Sequence, residues 1–199
     1  MIKMITKEKA YLLGVMCGDG YLGIFNRKDR RFRVRLAVRD KDFAEEFARC
    51  LENEYDFKPC FYFYDSRWWV ETSKSKVAQD LLKMGPFSRF SWKVSSNMFS
   101  EKTEIKCSFL RGFFDSEGFA NDKMIGCCSA NKEGLIQVVR LLESIGINPM
   151  VYLNAKSDGA YRLQINRMEE RLKFCKLVGF SIRRKLKNLQ NSLSGSVGN

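Results

Sequence analysis

Hydrophobic and polar positions alternate most cleanly between Arg31 and Arg39. Phe32, Val34, Leu36 and Val38 fall on one face, and Arg31, Arg33, Arg35, Ala37 and Arg39 on the other. That is the period of a strand with one face buried and one in water. Other stretches follow the helical period. Residues 7–18 read as a helix with Thr6 placed to cap it, and Asp40 precedes a second helix, 41–55, with Phe43, Phe47, Cys50 and Leu51 along its apolar side. Tyr21–Phe25 is a further extended stretch, and Cys60–Tyr64 with Trp68–Ser73 reads as a hairpin. Residues 76–84 read as a helix ended by Gly85-Pro86, and 87–104 as a polar, irregular linker. The order then recurs: helix 105–116, strand Met124–Ser129, helix 132–145 capped by Asn131, hairpin 150–155 and 161–166, helix 169–178. Arg183-Arg184-Lys185-Leu186-Lys187 reads as a basic helix end, and 194–199 as a frayed tail.

The recurrence has a register. Asp40-Lys41-Asp42 matches Asn131-Lys132-Glu133, and Arg49-Cys50-Leu51-Glu52 matches Arg140-Leu141-Leu142-Glu143, both displaced by 91 residues. Phe57-Lys58-Pro59 matches Ile147-Asn148-Pro149 at a displacement of 90. The chain is therefore expected to be an α+β protein made of a duplicated αββαββα unit: a first repeat over 1–86, a linker over 87–104, a second repeat over 105–193 and a tail over 194–199. Each unit supplies an antiparallel four-stranded sheet.

Each copy opens on a related apolar run. The first is Leu12-Leu13-Gly14-Val15-Met16-Cys17-Gly18-Asp19-Gly20 and the second Leu110-Arg111-Gly112-Phe113-Phe114-Asp115-Ser116-Glu117-Gly118. Gly14 and Gly18 are four apart and share a helix face. Glycine inside a helix costs about 1 kcal/mol relative to alanine. Close backbone approach by a second helix would offset that cost. The two runs are thus expected to pack on each other and to bring Asp19 and Glu117, 98 residues apart in the chain, to one place. One acid before a glycine is equally a helix-ending turn; two at matched positions make that reading a poor one.

Charge changes the picture next. Lys+Arg number 35 against 23 Asp+Glu, a net charge of +12, which favours a polyanionic partner, nucleic acid first. Four arginines on one strand face would repel unless phosphates or bases met them. Alternation extends that nucleic-acid face from Arg31, Arg33 and Arg35 to Tyr62, Tyr64, Glu71 and Ser73, and in the second half to Tyr152, Asn154, Lys156, Arg162, Gln164 and Asn166. Arginine suits guanine, and Asn or Gln suits adenine. Different side chains in the two halves imply an asymmetric target. At about 3.3 Å per strand residue, each sheet would follow roughly nine base pairs. Histidine is absent, which removes Ser-His-Asp and Cys-His chemistry and any histidine base. The seven cysteines are odd in number and form no CxxC, so they read as small buried residues of a reducing intracellular compartment, cytoplasm or organelle. No apolar run approaches membrane-spanning length, and Met1–Ala10 lacks the apolar stretch of a signal peptide.

The two acid-ended runs resemble the LAGLIDADG motif, and the chain, over nearly all its length, resembles a monomeric two-repeat LAGLIDADG homing endonuclease. The resemblance implies a hydrolase that holds Mg²⁺ through Asp19 and Glu117, with the carbonyls of Gly18 and Ser116 as further ligands. Mn²⁺ would substitute, and Ca²⁺ would bind without supporting cleavage. A carboxylate at a helix C-terminus opposes the macrodipole and two side by side repel, so divalent cations are the natural relief. The implied product is a staggered double-strand break with 3′ overhangs in double-stranded DNA, serving intron or intein homing with no protein partner. Lys93 and Lys185 are the candidate basic catalytic residues, with Arg183 next. The family often places Gln or Lys at the end of the arginine-bearing strand; here Val38-Arg39 and Ser129-Ala130 stand there, so Arg39 is the candidate substitute. An RNA-binding intron maturase and a non-catalytic DNA-binding regulator are the alternatives on the same scaffold.

Overall fold

The computed structural model describes residues 4–26, 31–153 and 159–194. Its first half runs α1 (Lys7–Met16), β1 (Tyr21–Asn26), β2 (Arg31–Val38), α2 (Lys41–Tyr55), β3 (Cys60–Tyr64), β4 (Arg67–Thr72) and α3 (Ser75–Leu82). The second runs α4 (Thr103–Glu117), β5 (Gly118–Ala120), β6 (Ile125–Ser129), α5 (Lys132–Glu143), β7 (Met150–Tyr152), β8 (Tyr161–Ile165), α6 (Met168–Leu177) and α7 (Arg183–Ser194). Two four-stranded antiparallel sheets form, ordered β1-β2-β4-β3 and β5-β6-β8-β7. The duplicated α+β architecture is as the repeat implies.

Each sheet buries one face. Val34, Leu36 and Val70 are fully buried in the first, and Ile125, Leu163 and Ile165 in the second. The helices cover those faces. α2 and α5 are amphipathic and bury one stripe each, Phe43, Phe47 and Leu51 in α2, Leu135, Val138 and Leu142 in α5. α1 differs, since every residue from Lys9 to Met16 is buried. A helix apolar on all sides belongs inside the molecule, and α1 lies against both α2 and α4.

The α1–α4 contact is reciprocal. A Cβ built on Gly14 would lie 2.0 Å from the Phe109 carbonyl oxygen and 2.8 Å from the Phe113 nitrogen; one built on Gly112 would lie 2.2 Å from the Tyr11 carbonyl oxygen and 3.1 Å from the Val15 nitrogen. Gly14, Tyr11 and Val15 correspond to Gly112, Phe109 and Phe113 at the displacement that relates Asp19 to Glu117. Each glycine receives the partner helix's backbone, which is the signature of a local two-fold axis.

Several boundaries differ from the sequence reading. The segment 87–104 is no loose linker. Trp92, Val94 and Met98 are buried, Asn131 Nδ2 donates to the Trp92 carbonyl at 2.6 Å, and the Val94 N–H donates to Gln137 Oε1 at 2.8 Å. It is a strap docked on α5, with a 3₁₀ turn at Ser96–Ser100. The basic stretch after 182 is a separate helix, α7, that buries Lys185, Leu189 and Ser192. β5 is three residues long, too short to show a period. Thr6 and Asn131 cap their helices, accepting from the N–H groups of Lys9 and Gly134. Asp40 stands at the N-cap of α2, but its carboxylate takes Arg184 of α7 at 2.8 Å instead of the helix amides. Of the expected tail, 195–199 lies outside the described residues.

Gly112→Ala is expected to destabilise the protein by about 1–3 kcal/mol, because the methyl meets backbone that has no rotamer to yield. Urea denaturation should show the loss as a lower midpoint at unchanged m-value. An Ala substitution at Gly146, around which a Cβ meets nothing within 4 Å, provides a contrast. There φ is +81°, so the cost is one of backbone strain alone.

Candidate active site and nucleic-acid face

α1 ends at Met16, and a turn carries the chain through Gly18 to Asp19, whereas α4 runs three residues further in register and ends on Glu117 itself. The two ends touch. A Cβ on Gly18 would stand 2.4 Å from the Ser116 Cβ and 3.1 Å from the Glu117 Cγ, so only a glycine fits there. Gly18, Asp19, Ser116 and Glu117 are thereby brought together as expected.

Electrostatics agree with the geometry. Burial raises the Asp19 carboxyl pKa, with Lys185 and Arg67 pulling against it. Burial pushes Glu117 up to about 7; the neighbouring Asp19 charge adds to this and Lys185 and Arg89 oppose it. Loss of water is the main cost to both carboxylates, the cations offset it only in part, and a bound divalent ion would favour their charged forms. Among the described residues no group of three or more His, Cys, Asp or Glu comes together that could hold a metal. A pair of carboxylates with carbonyl and phosphate oxygens suits magnesium, which keeps much of its water shell.

Asp19 lies between two clefts. One, of about 860 Å³, takes in Asp19, Glu117, Cys128, Ser129, Ala130, Ala160 and the strap residues Ser88 and Arg89. The other, of about 340 Å³, takes in Asp19, Ala37, Val38, Arg39, Arg67, Ser116, Arg184 and Lys185. Positions 37–39 and 128–130 correspond by the repeat, so these are the two sides of one pseudo-symmetric site. Their chemistry is not symmetric. Arg39 and Arg67 face one cleft, where alanines face the other.

Lys185 is central and buried. Its Nζ donates to the Phe114 carbonyl at 3.1 Å and the Asp115 carbonyl at 2.6 Å, placing a cation on the last turn of α4 directly before Glu117. Burial lowers its pKa, and Asp115 and Asp19 hold it up. Lys93, the paired candidate, stands exposed on the strap, and Arg67 and Arg89 join Lys185 as cations that lower the pKa of one or other acid. Arg183 is exposed as well, its N–H donating to Asp42.

Sequence reasoning also missed Asp115. Fully buried, it accepts from the Tyr11 hydroxyl at 2.8 Å and from the N–H and hydroxyl of Ser181, and burial pushes its pKa up to about 6. It ties α1, α4 and the α6–α7 connection together immediately behind Glu117. The available signal was an acid where the other motif has Cys17, a departure from the repeat that calls for a partner.

The open sheet faces carry most of the expected nucleic-acid residues. Arg33, Arg35, Tyr62, Tyr64, Glu71 and Ser73 are exposed or half-buried on the first, and Tyr152, Arg162, Gln164 and Asn166 on the second. The side chain of Arg31, and Asn154 and Lys156 entirely, lie outside the described residues. The arginine face is not left to repel itself. Arg33 meets Glu71 at 3.6 Å, and the Arg35 guanidinium lies over two aromatic rings.

Residues 104–179 match the family described as a LAGLIDADG-like domain. The chain is 27% identical to an uncharacterised protein of Methanocaldococcus jannaschii over 94% of its own length and 72% of that protein's. It is 25% identical to homing endonuclease I-DmoI of Desulfurococcus mucosus, over 85% of this chain and 86% of the relative. The crystal structure of I-DmoI in complex with DNA and Mn superposes with a TM-score of 0.70 at 22% identity, covering 88% of this chain and 97% of the other. Two helices crossed on glycine, two sheets in matching strand order and these matches agree: residues 104–179 form a LAGLIDADG-like domain, and the whole chain has the LAGLIDADG fold with both repeats in a single polypeptide.

Proposed function

We propose that this protein is a site-specific DNA endonuclease that makes a staggered double-strand break with 3′ overhangs in a long, asymmetric duplex, in support of intron or intein homing, and that it works as a monomer. The observation that carries the reading is the meeting of Asp19 and Glu117 at the pseudo-dyad, beside the clefts at the ends of two sheets whose open faces carry arginine, tyrosine and amide side chains suited to DNA. I-DmoI, which shares the fold, has been solved with DNA and Mn.

Asp19 and Glu117 would hold the divalent cations, Mg²⁺ first, with the Gly18 and Ser116 carbonyls beside them. Cations bound there supply charge for the scissile phosphate and lower the pKa of a bound water. The protein's own groups do the rest. The glycine contact fixes the separation of the carboxylates, so neither has to be recruited when the substrate arrives. Arg39 and Arg67 line one cleft and Arg89 the other, where each can neutralise a backbone phosphate. Lys185, committed to two carbonyls, positions the end of α4 and keeps a positive charge behind both acids. One carboxylate per half then serves one strand each.

Incubation with Mg²⁺ and a library of duplexes should give discrete double-strand cleavage. Asp19→Asn and Glu117→Gln should each reduce it to background while leaving binding to the same duplex in Ca²⁺. Tight binding of a structured RNA with no duplex cut under any condition would favour the maturase and overturn this reading.

A stability experiment tests the same site without turnover. The folded-state pKa of Glu117 is raised to about 7 from an ordinary value of 4.5. Between those values the native state binds more protons than the unfolded chain, so Glu117 subtracts stability as pH rises through the window. Without metal, Glu117→Gln is therefore expected to melt higher than wild type at pH 8, with the difference shrinking towards pH 4. Added Mg²⁺ should raise the wild-type Tm at pH 8 and leave the variant's nearly unchanged.

A further inference from the structure

The open faces of the two sheets can be compared position by position. Tyr21 pairs with Arg35 and Arg35 with Glu71 in the first; Phe119 pairs with Gly126 and Gly126 with Gln164 in the second. One step nearer the acids, Ala37, Trp69 and Tyr62 stand where Cys128, Arg162 and Tyr152 stand. The pseudo-dyad thus exchanges Arg35 for Gly126 and Glu71 for Gln164.

Arg35 is gripped. Its guanidinium carbon lies 4.8 Å from the centre of the Tyr21 ring and 4.9 Å from that of Trp69. Trp69 is fixed in turn. Its ring is parallel to that of Tyr62, 6.3 Å away, and its indole N–H donates to the Tyr64 carbonyl at 2.9 Å. Glu71, opposite Arg35 in the register, is engaged by Arg33. Arg35 consequently makes no hydrogen bond or ion pair among the described residues. A guanidinium held on its faces by rings has given up rotamer freedom before DNA arrives and keeps its N–H edges for a flat, two-acceptor partner. The guanine edge, with O6 and N7, is that partner in the major groove.

The corresponding place in the second sheet is uncharged. A Cβ on Gly126 would lie 2.7 Å from the Phe119 ring, which therefore lies over that glycine. Phe119 and Met150 are 39% and 51% exposed, and Gln164 stands between them in the register. Exposed apolar groups on such a face suit thymine methyls, and a carboxamide suits adenine.

We infer that recognition is divided by base composition: the first sheet anchors its half-site on guanine through the pre-set Arg35, and the second reads an A·T-rich half-site through Phe119, Met150 and Gln164. This rests on the endonuclease reading, and one experiment separates the two. Duplexes with a long randomised centre are selected on the full chain with Ca²⁺ in place of Mg²⁺, so that binding is read without cutting. Arg35→Lys, Trp69→Leu and Gln164→Ala are taken through the same selection after thermal unfolding shows them folded. The expected wild-type result is a guanine preference on one side of the centre, falling about tenfold or more in Arg35→Lys and by less in Trp69→Leu. Gln164→Ala should alter only the other side, where A·T pairs predominate. A guanine preference that survives Arg35→Lys, or guanines concentrated in the half-site that Gln164→Ala affects, overturns the division while the endonuclease reading stands. Selection of no duplex at all overturns that reading and the division with it.

Discussion

The contact between α1 and α4 is the constraint from which the rest follows. Backbone meets backbone at Gly14 and Gly112, closer than any side chain permits. Such a contact has little freedom to slide. It sets the axis about which the two halves are related, and it determines how far apart the helix ends can be. Asp19 and Glu117 are near one another because of glycines one and a half turns up their helices, not because of attraction between the acids. The same axis sends β1 and β5 out from the site in opposite copies of one arrangement, so the catalytic centre and the open sheet faces are positioned by a single packing event.

That arrangement is expensive where it is useful. Burial and mutual repulsion raise Glu117, and burial raises Asp19 and Asp115. The fold meets this in two ways. Asp115 is satisfied internally by Tyr11 and Ser181, whose hydrogen bonds offset part of its cost. Asp19 and Glu117 have no such internal partners among the described residues, and only Lys185, Arg67 and Arg89 temper them. The difference separates a carboxylate that the fold satisfies from one that it leaves open, within a few residues of sequence, where proximity alone would have grouped them.

Much of this was visible in the sequence because the repeat constrains it twice. The motif pair, the alternating strand at 31–39 and the caps at Thr6 and Asn131 rest on local periods and on matched positions. What stayed hidden was decided by contacts between distant segments. Nothing local says that Trp92 will sit against Gly134 and turn a polar stretch into a docked strap, or that Asp40 will prefer Arg184 to its own helix. Lys93 and Lys185 looked alike as basic residues near the end of each half. Burial against the carbonyls of α4 distinguishes Lys185 from the exposed Lys93, and burial of a lysine runs against its ordinary preference, so sequence alone gave no sign of the difference.

Duplication explains why the two halves share a fold, and divergence explains why they need not share a task. A homodimer of such a unit would present identical clefts and identical sheets, and could read only a palindrome. Fusing two copies in one chain frees each position to change alone. Arg39, Arg67 and Arg35 against Ala130, Ala160 and Gly126 show that freedom used, as does Trp69 against Arg162 in the other direction. The helix contact cannot diverge in the same way, since a side chain on either glycine meets the partner's backbone. The symmetric part of the molecule is therefore the part that sterics hold symmetric, and asymmetry collects on the surfaces that face the substrate.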